Sequence, residues 1–165
     1  MEGQTMNTFA VNAFLADAAE SVQGKIYAIG VGWNNLFSQA FPLMHPRMAL
    51  GAMISVPYTA TNAIHKFRVH LEDADAKKIS LKPGGEIGEP APTMLEFGTD
   101  FNVGRPPLLP AGDAQIVPVS LVFDQLVLEV PGMYNWVISI DDNEITRLQM
   151  RATLFNQPSH VETSG

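Results

Sequence analysis

The sequence predicts an all-β protein, an antiparallel β-sandwich of immunoglobulin-like or jelly-roll-like kind, with about eight or nine strands and at most one short helix. Three observations carry this. Apolar residues recur with a period of two. Clusters of Gly, Pro, Asn and Asp separate the alternating runs. A helical period of 3.6 is almost absent.

The clearest run is "MYNWVISI", where Tyr134, Trp136, Ile138 and Ile140 share one face and Met133, Asn135, Val137 and Ser139 the other. Pro131-Gly132 opens this strand, and Asp141-Asp142-Asn143 closes it with residues that tolerate positive φ. Beyond the turn, Thr146, Leu148, Met150, Ala152 and Leu154 fall on one side. The pair reads as a hairpin with one buried face. An aromatic stripe at strand period packs more often than it binds, so Tyr134 and Trp136 are expected in the core, with the Trp136 N–H on a backbone carbonyl. Tyr134, Trp136, Ile138, Leu148 and Leu154 should be buried together.

Taken in order, "TFAVNAFLA" alternates, and "NAFLADAAESV" carries enough helix formers to be the one short-helix candidate. Gly24 after Val22-Gln23 marks a turn into "KIYAIGVGW". "NNLFSQAFPLMHPRM" lacks alternation, contains Pro42 and Pro46, and reads as irregular. "MALGAMISVPY" is the next strand. "IHKFRVHLE" sets His65, Phe67, Val69 and Leu71 against Ile64, Lys66, Arg68 and His70. "ISLKPGGEIGEPAPT" is a Gly/Pro loop between strands. "TMLEFGTDFNV" and "AQIVPVSLVFDQLVLEV" precede the final hairpin. One domain over 1–155 and a flexible tail over 156–165 are expected.

A chain of 165 residues buries about 70% of the surface its unfolded form exposes, enough for a core without staples. There is no cysteine, which excludes disulfides and cysteine-ligated metal centres. The opening "MEGQTMNTFAVNAFLADAAE" lacks the basic region and apolar run of a secretory signal, and no stretch reaches the roughly 18 apolar residues of a membrane helix. A cytoplasmic location and no membrane partner are expected. A net charge of -7 without a basic cluster argues against nucleic acid.

Charged residues make up 16% of the chain, against about 25% in an ordinary soluble domain. Either the surface is unusually neutral or subunits cover part of it.

No nucleophile elbow, phosphate-binding loop or H-E-x-x-H is present, and "GVG" at 30–32 lacks the third glycine of a dinucleotide site. His65 and His70 are five apart, so one regular strand points them to opposite faces. Glu72, Asp73 and Asp75 lack the glycine and distal glutamate of a calcium loop. No catalytic residue, metal or cofactor is expected. Arg105, between Gly104 and Pro106-Pro107, could receive a carboxylate, though pinning its own loop to an acidic neighbour is the stronger reading. Trp33 and Arg105 are the candidate binding residues, as the mouth of a small-ligand site.

The segments "LADAAESVQGKIYAIGVGW", "VGRPPLLPAGDAQIVPV" and "PGMYNWVISID" resemble an uncharacterised family of bacterial, largely actinobacterial, single-domain proteins. The resemblance implies strands and turns and brings no activity with it.

The expected role is therefore a non-catalytic structural or assembly module that forms homo-oligomers, with a small-ligand or peptide-binding module as the alternative. Pro118 inside "IVPVSLVF" marks an edge strand, and no charge guards Gln115–Phe123. The expected contacts are Val117, Val119 and Leu121 on that edge, and Leu36, Phe37, Phe41, Leu43 and Met44 in the irregular segment.

Overall fold

Two fourteen-residue strands, β5 (Leu43–Val56) and β10 (Gln115–Leu128), pair antiparallel from end to end and form the spine of the protein. The computed structural model describes residues 8–85 and 92–156. The other strands are β1 (Ala10–Ala16), β2 (Ala18–Val22), β3 (Lys25–Ile29), β4 (Asn35–Ser38), β6 (Ile64–Glu72), β7 (Lys78–Ile79), β8 (Lys82–Pro83), β9 (Phe97–Asn102), β11 (Gly132–Ile140) and β12 (Asn143–Leu154). Among the described residues the one helical element is a 3-10 turn, Tyr58–Ala60.

The first sheet runs β1-β5-β10-β8. The second runs β4-β12-β11-β6-β7, with β9 also on β6. A separate hairpin, β2–β3, turns at Gln23 and Gly24, both at positive φ, and Ser21 Oγ donates to the Pro118 carbonyl of β10. Among the described residues all strand pairings are antiparallel save one: β4 runs parallel to β12.

The protein is thus all-β, as expected, but the described residues form twelve strands where eight or nine were expected, and one sheet is mixed. The differences have local causes. The Ala-rich "NAFLADAAESV" supplies the end of β1 and all of β2, because pairing with β5 and β3 overrides helix propensity. "NNLFSQAFPLMHPRM" holds β4 and the start of β5. Pro46 sits in β5 where the ladder to β10 skips it and Gln125, which takes φ 50, so no interstrand bond is lost. Two-residue β7 and β8 are too short to show a period.

The two large sheets share one core. Met48, Leu50 and Ile54 of β5 and Phe123 of β10 meet Phe67 and Val69 of β6 and Trp136 and Ile138 of β11, all essentially without exposure. Tyr134, Trp136, Ile138 and Ile140 are buried as the alternation requires, and the Tyr134 hydroxyl donates to the Val130 carbonyl. Two details differ from expectation. Leu154 is exposed because β11 begins at Gly132 opposite Ala152, so the end of β12 overruns it. The Trp136 indole N–H is buried with no hydrogen-bond partner among the described residues. Of the expected tail, 156–165, all but Asn156 lies outside the described residues.

Candidate functional site

The two residues expected to form a binding mouth lie at opposite ends of β5. The Trp33 ring packs on His45 near the start of that strand, centroids 5.7 Å apart. Arg105 contacts Tyr58, just beyond its end. About eleven residues of β5 separate these points, roughly 35 Å of strand.

Arg105 pins its loop, as the stronger reading held, but to neutral groups and not to an acid. Its guanidinium donates to Thr61 Oγ1 and to the Tyr58 carbonyl, and it lies 4.2 Å from the centre of the Tyr58 ring. These contacts use Nε, Nη2 and one ring face of an otherwise exposed guanidinium.

Trp33 lies where β1, an edge of the first sheet, passes β12 of the second. Phe14, Leu15, Gly32, Trp33, Leu148 and Gln149 line a groove of about 500 Å³ there. The Trp33 Nε1 is buried without a hydrogen-bond partner among the described residues. Arg147, on the rim, is committed to Glu144 and Glu72. Glu72 also takes a 2.8 Å hydrogen bond from His70, and the bonds from His70 and Arg147 hold its carboxyl below the ordinary value. This acidic turn is therefore spent within the protein. Asp73 likewise accepts from the Asp75 and Lys77 backbones. Among the described residues no three His, Asp or Glu side chains are grouped to hold a metal ion.

The residues expected at a self-association surface divide. Leu36 and Val119 are buried, and Phe41, Leu43, Val117 and Leu121 are half-buried against the core. Leu36 and Val119 cannot meet a partner without opening the fold, and the other four offer only part of their surface. Parity explains the error on β10. Val117, Val119 and Leu121 face the core, while Ile116, Pro118 and Val122 face outward. A charge at Val119 would unfold the protein before it reported on assembly. The edge itself is also less bare than expected, since Ser21 of the β2–β3 hairpin bonds to Pro118.

Phe37 and Met44 remain, at 64% and 56% exposure. Phe37 belongs to β4, which ends the second sheet. The parallel register with β12 uses the Asn34 and Ser38 carbonyls, so the backbone groups of Asn35 and Phe37 point to the open flank. Leu154 and Phe155 are exposed beside it, and the Phe37 and Phe155 rings meet edge to face at 6.5 Å. On the first sheet Met44 pairs with exposed Val127. Sequence reasoning missed Leu154, Phe155, Tyr27 and Ile29. The last two stand exposed on the β2–β3 hairpin and, with Arg47 and Val122, line a second groove of about 390 Å³. Alternation assigns such residues to a core and cannot say that a hairpin will lack a second layer.

Fold and surface define a small all-β protein with exposed apolar side chains on the β4 edge and the β2–β3 hairpin, and others, such as Ile64 and Ile116, on the longer strands. The chain belongs to a family of unknown function, DUF6941, whose pattern matches residues 12–153. No curated protein matches the sequence. Among solved structures the chain is similar to part of a mutant β-glucosidase from Listeria innocua in complex with laminaribiose. That likeness has 7% identity and a TM-score of 0.40, over 90% of this chain and 16% of the other. It is similar to part of a β-glucuronidase of glycoside hydrolase family 2, with 10% identity and a TM-score of 0.38, over 92% and 12%. A third is an alkylpurine DNA glycosylase from Pseudomonas fluorescens bound to DNA with an abasic site analog, with 8% identity and a TM-score of 0.37, over 87% and 30%. The chain spans less than a third of each of these proteins, and likenesses so distant carry no functional argument. Among the described residues no helix is long and apolar enough to cross a membrane.

Proposed function

We propose that this protein is a non-catalytic, cytoplasmic assembly module that self-associates through the β4 edge. One observation carries the reading. From Ile26 to Pro46 the chain has no Lys, Arg, Asp or Glu, and within that stretch Tyr27, Ile29, Val31, Phe37 and Met44 are exposed. Copies with a net charge of -7 repel one another over most of their surface. A segment that brings no charge of its own is where they can meet. β4 also lacks the Lys, Pro or bulge that usually protects an edge strand. We take the two large sheets as the layers of a β-sandwich, with parallel β4 as its one departure. A closed ring and an open filament both fit head-to-tail contact.

The test is a charge at the proposed contact. Phe37→Lys should reduce the native mass while leaving the denaturation midpoint near wild type, because Phe37 is outside the core. An unchanged assembly would remove β4 from the interface.

A second reading, a small-ligand or peptide module, is favoured by the groove at Trp33 and its unpartnered indole N–H. A thermal-shift screen against small carbonyl compounds and extended peptides separates it, since a ligand of the folded state raises Tm with concentration.

A further inference from the structure

Both ring nitrogens of His65 face acceptors. Nδ1 lies 2.7 Å from Asp141 Oδ2, and Nε2 lies 2.6 Å from the Ala60 carbonyl. A neutral imidazole has one N–H and would turn a lone pair toward one of these oxygens. Imidazolium donates to both. The residue is only 9% exposed, and Phe9 and Phe101 pack on the ring with centroids at 4.8 and 5.5 Å. A lone pair facing the carbonyl in this enclosure would be costly.

The charged neighbours fit this state. Asp141, in the β11–β12 turn, supplies the carboxylate, and its other oxygen accepts from the Lys66 backbone N–H. Lys66, the next residue of β6, also lowers the Asp141 pKa through its charge. The segment before β1 and strand β9 present the rings of Phe9 and Phe101. The turn after β5 presents a carbonyl, and its own cation, Arg105, is held on Tyr58 and Thr61.

We propose that His65 is a proton-operated latch. As imidazolium it ties the turn 57–62 to the β11–β12 turn, and as neutral imidazole it releases Ala60. On losing a proton, His65 keeps its N–H on the Asp141 carboxylate and presents a lone pair to the Ala60 oxygen. Two acceptors so close repel, and Ala60 moves away. The 3-10 turn then loses one anchor. The loop from Val103 loosens with it, because Asn62 N–H donates to the Val103 carbonyl and Arg105 grips the same turn. Leu108, at 94% exposure, sits at the tip of that loop.

Burial opposes the charge on His65, but the hydrogen bonds to Asp141 and Ala60 outweigh it and place the pKa above the ordinary histidine value. Asp141 is correspondingly held below the usual carboxylate value, against its own burial, by His65 and the Lys66 backbone. A raised folded pKa means the tie is fully present below about pH 6.5 and is lost as pH rises through the folded value.

The experiment is nitrogen NMR on the full chain with labelled histidine, read beside amide exchange from pH 5.5 to 9. Both His65 ring nitrogens should carry protons at pH 6, with a midpoint above that of free histidine. Protection at Ala60, Thr61 and Asn62, measured against β11 amides, should fall about tenfold across that midpoint, the loss of one charge-assisted hydrogen bond. Asp141→Asn should lower the midpoint. If that variant fails to fold, the wild-type titration decides alone. A single neutral tautomer at pH 6, or turn protection that stays constant through the midpoint, would overturn the latch.

Discussion

Phe123 of β10 and Trp136 of β11 lie against each other across the interior, ring centroids 5.0 Å apart and planes tilted by 32°. One comes from each large sheet, and Phe97 of β9 packs edge-on against Phe123 from a further strand at 5.1 Å. This cluster binds the layers together. Trp136→Ala should cost roughly 3–5 kcal/mol, as other large aromatic truncations do. An unchanged urea midpoint would show that the sheets do not depend on it.

Two glycines are required by what lies over them, to different degrees. A Cβ at Gly98 would collide with the Phe67 backbone carbonyl, and one at Gly51 with the tip of the Phe14 ring. A ring at the sheet surface can turn aside, whereas a paired strand cannot. Gly98→Ala should therefore destabilise more than Gly51→Ala, with overpacking costs of about 1–3 kcal/mol. Paired thermal melts check the order, and equal losses would show that Phe14 is as fixed as the backbone.

Acid should weaken the fold through carboxylates held below their ordinary values, Asp124 and Glu72 among them. Hydrogen bonds from Arg47 hold Asp124 below its ordinary value, and those from His70 and Arg147 do the same for Glu72. Depressed pKa values contribute stability that is full above about pH 4 and lost as pH falls through the folded values. Tm should decline below about pH 5, in the opposite direction to the gain that protonation of His65 gives as pH falls toward 6.5. Arg47→Gln should flatten part of the decline. A variant that keeps the full slope would assign the acid loss elsewhere.

Arg105→Ala removes two hydrogen bonds and the contact over Tyr58, and should destabilise by about 1–3 kcal/mol. Arg105→Lys should restore little, because an ammonium cannot reproduce a planar fork that also stacks. Full recovery with lysine would reduce the residue to a point charge.

The buried faces were legible wherever a strand was long and alternating. "MYNWVISI" and "IHKFRVHLE" placed Trp136, Ile138, Phe67 and Val69 correctly because period two alone decides which side they occupy. The surface was less legible. Val119 and Phe37 are both apolar residues in stretches without charge, yet one meets the core and the other solvent. That difference is set by which flank and layer a strand joins. The His65 pair was hidden for the same reason: Asp141 lies 76 residues away, and only the antiparallel pairing of β6 with β11 brings the turn to the histidine.

Self-association is tested most directly by the native mass of the wild-type chain, measured by light scattering across micromolar concentrations. The expected result is a multiple of 18.0 kDa that falls toward one chain in Phe37→Lys. A wild-type particle of single-chain mass at every concentration would contradict the assembly role.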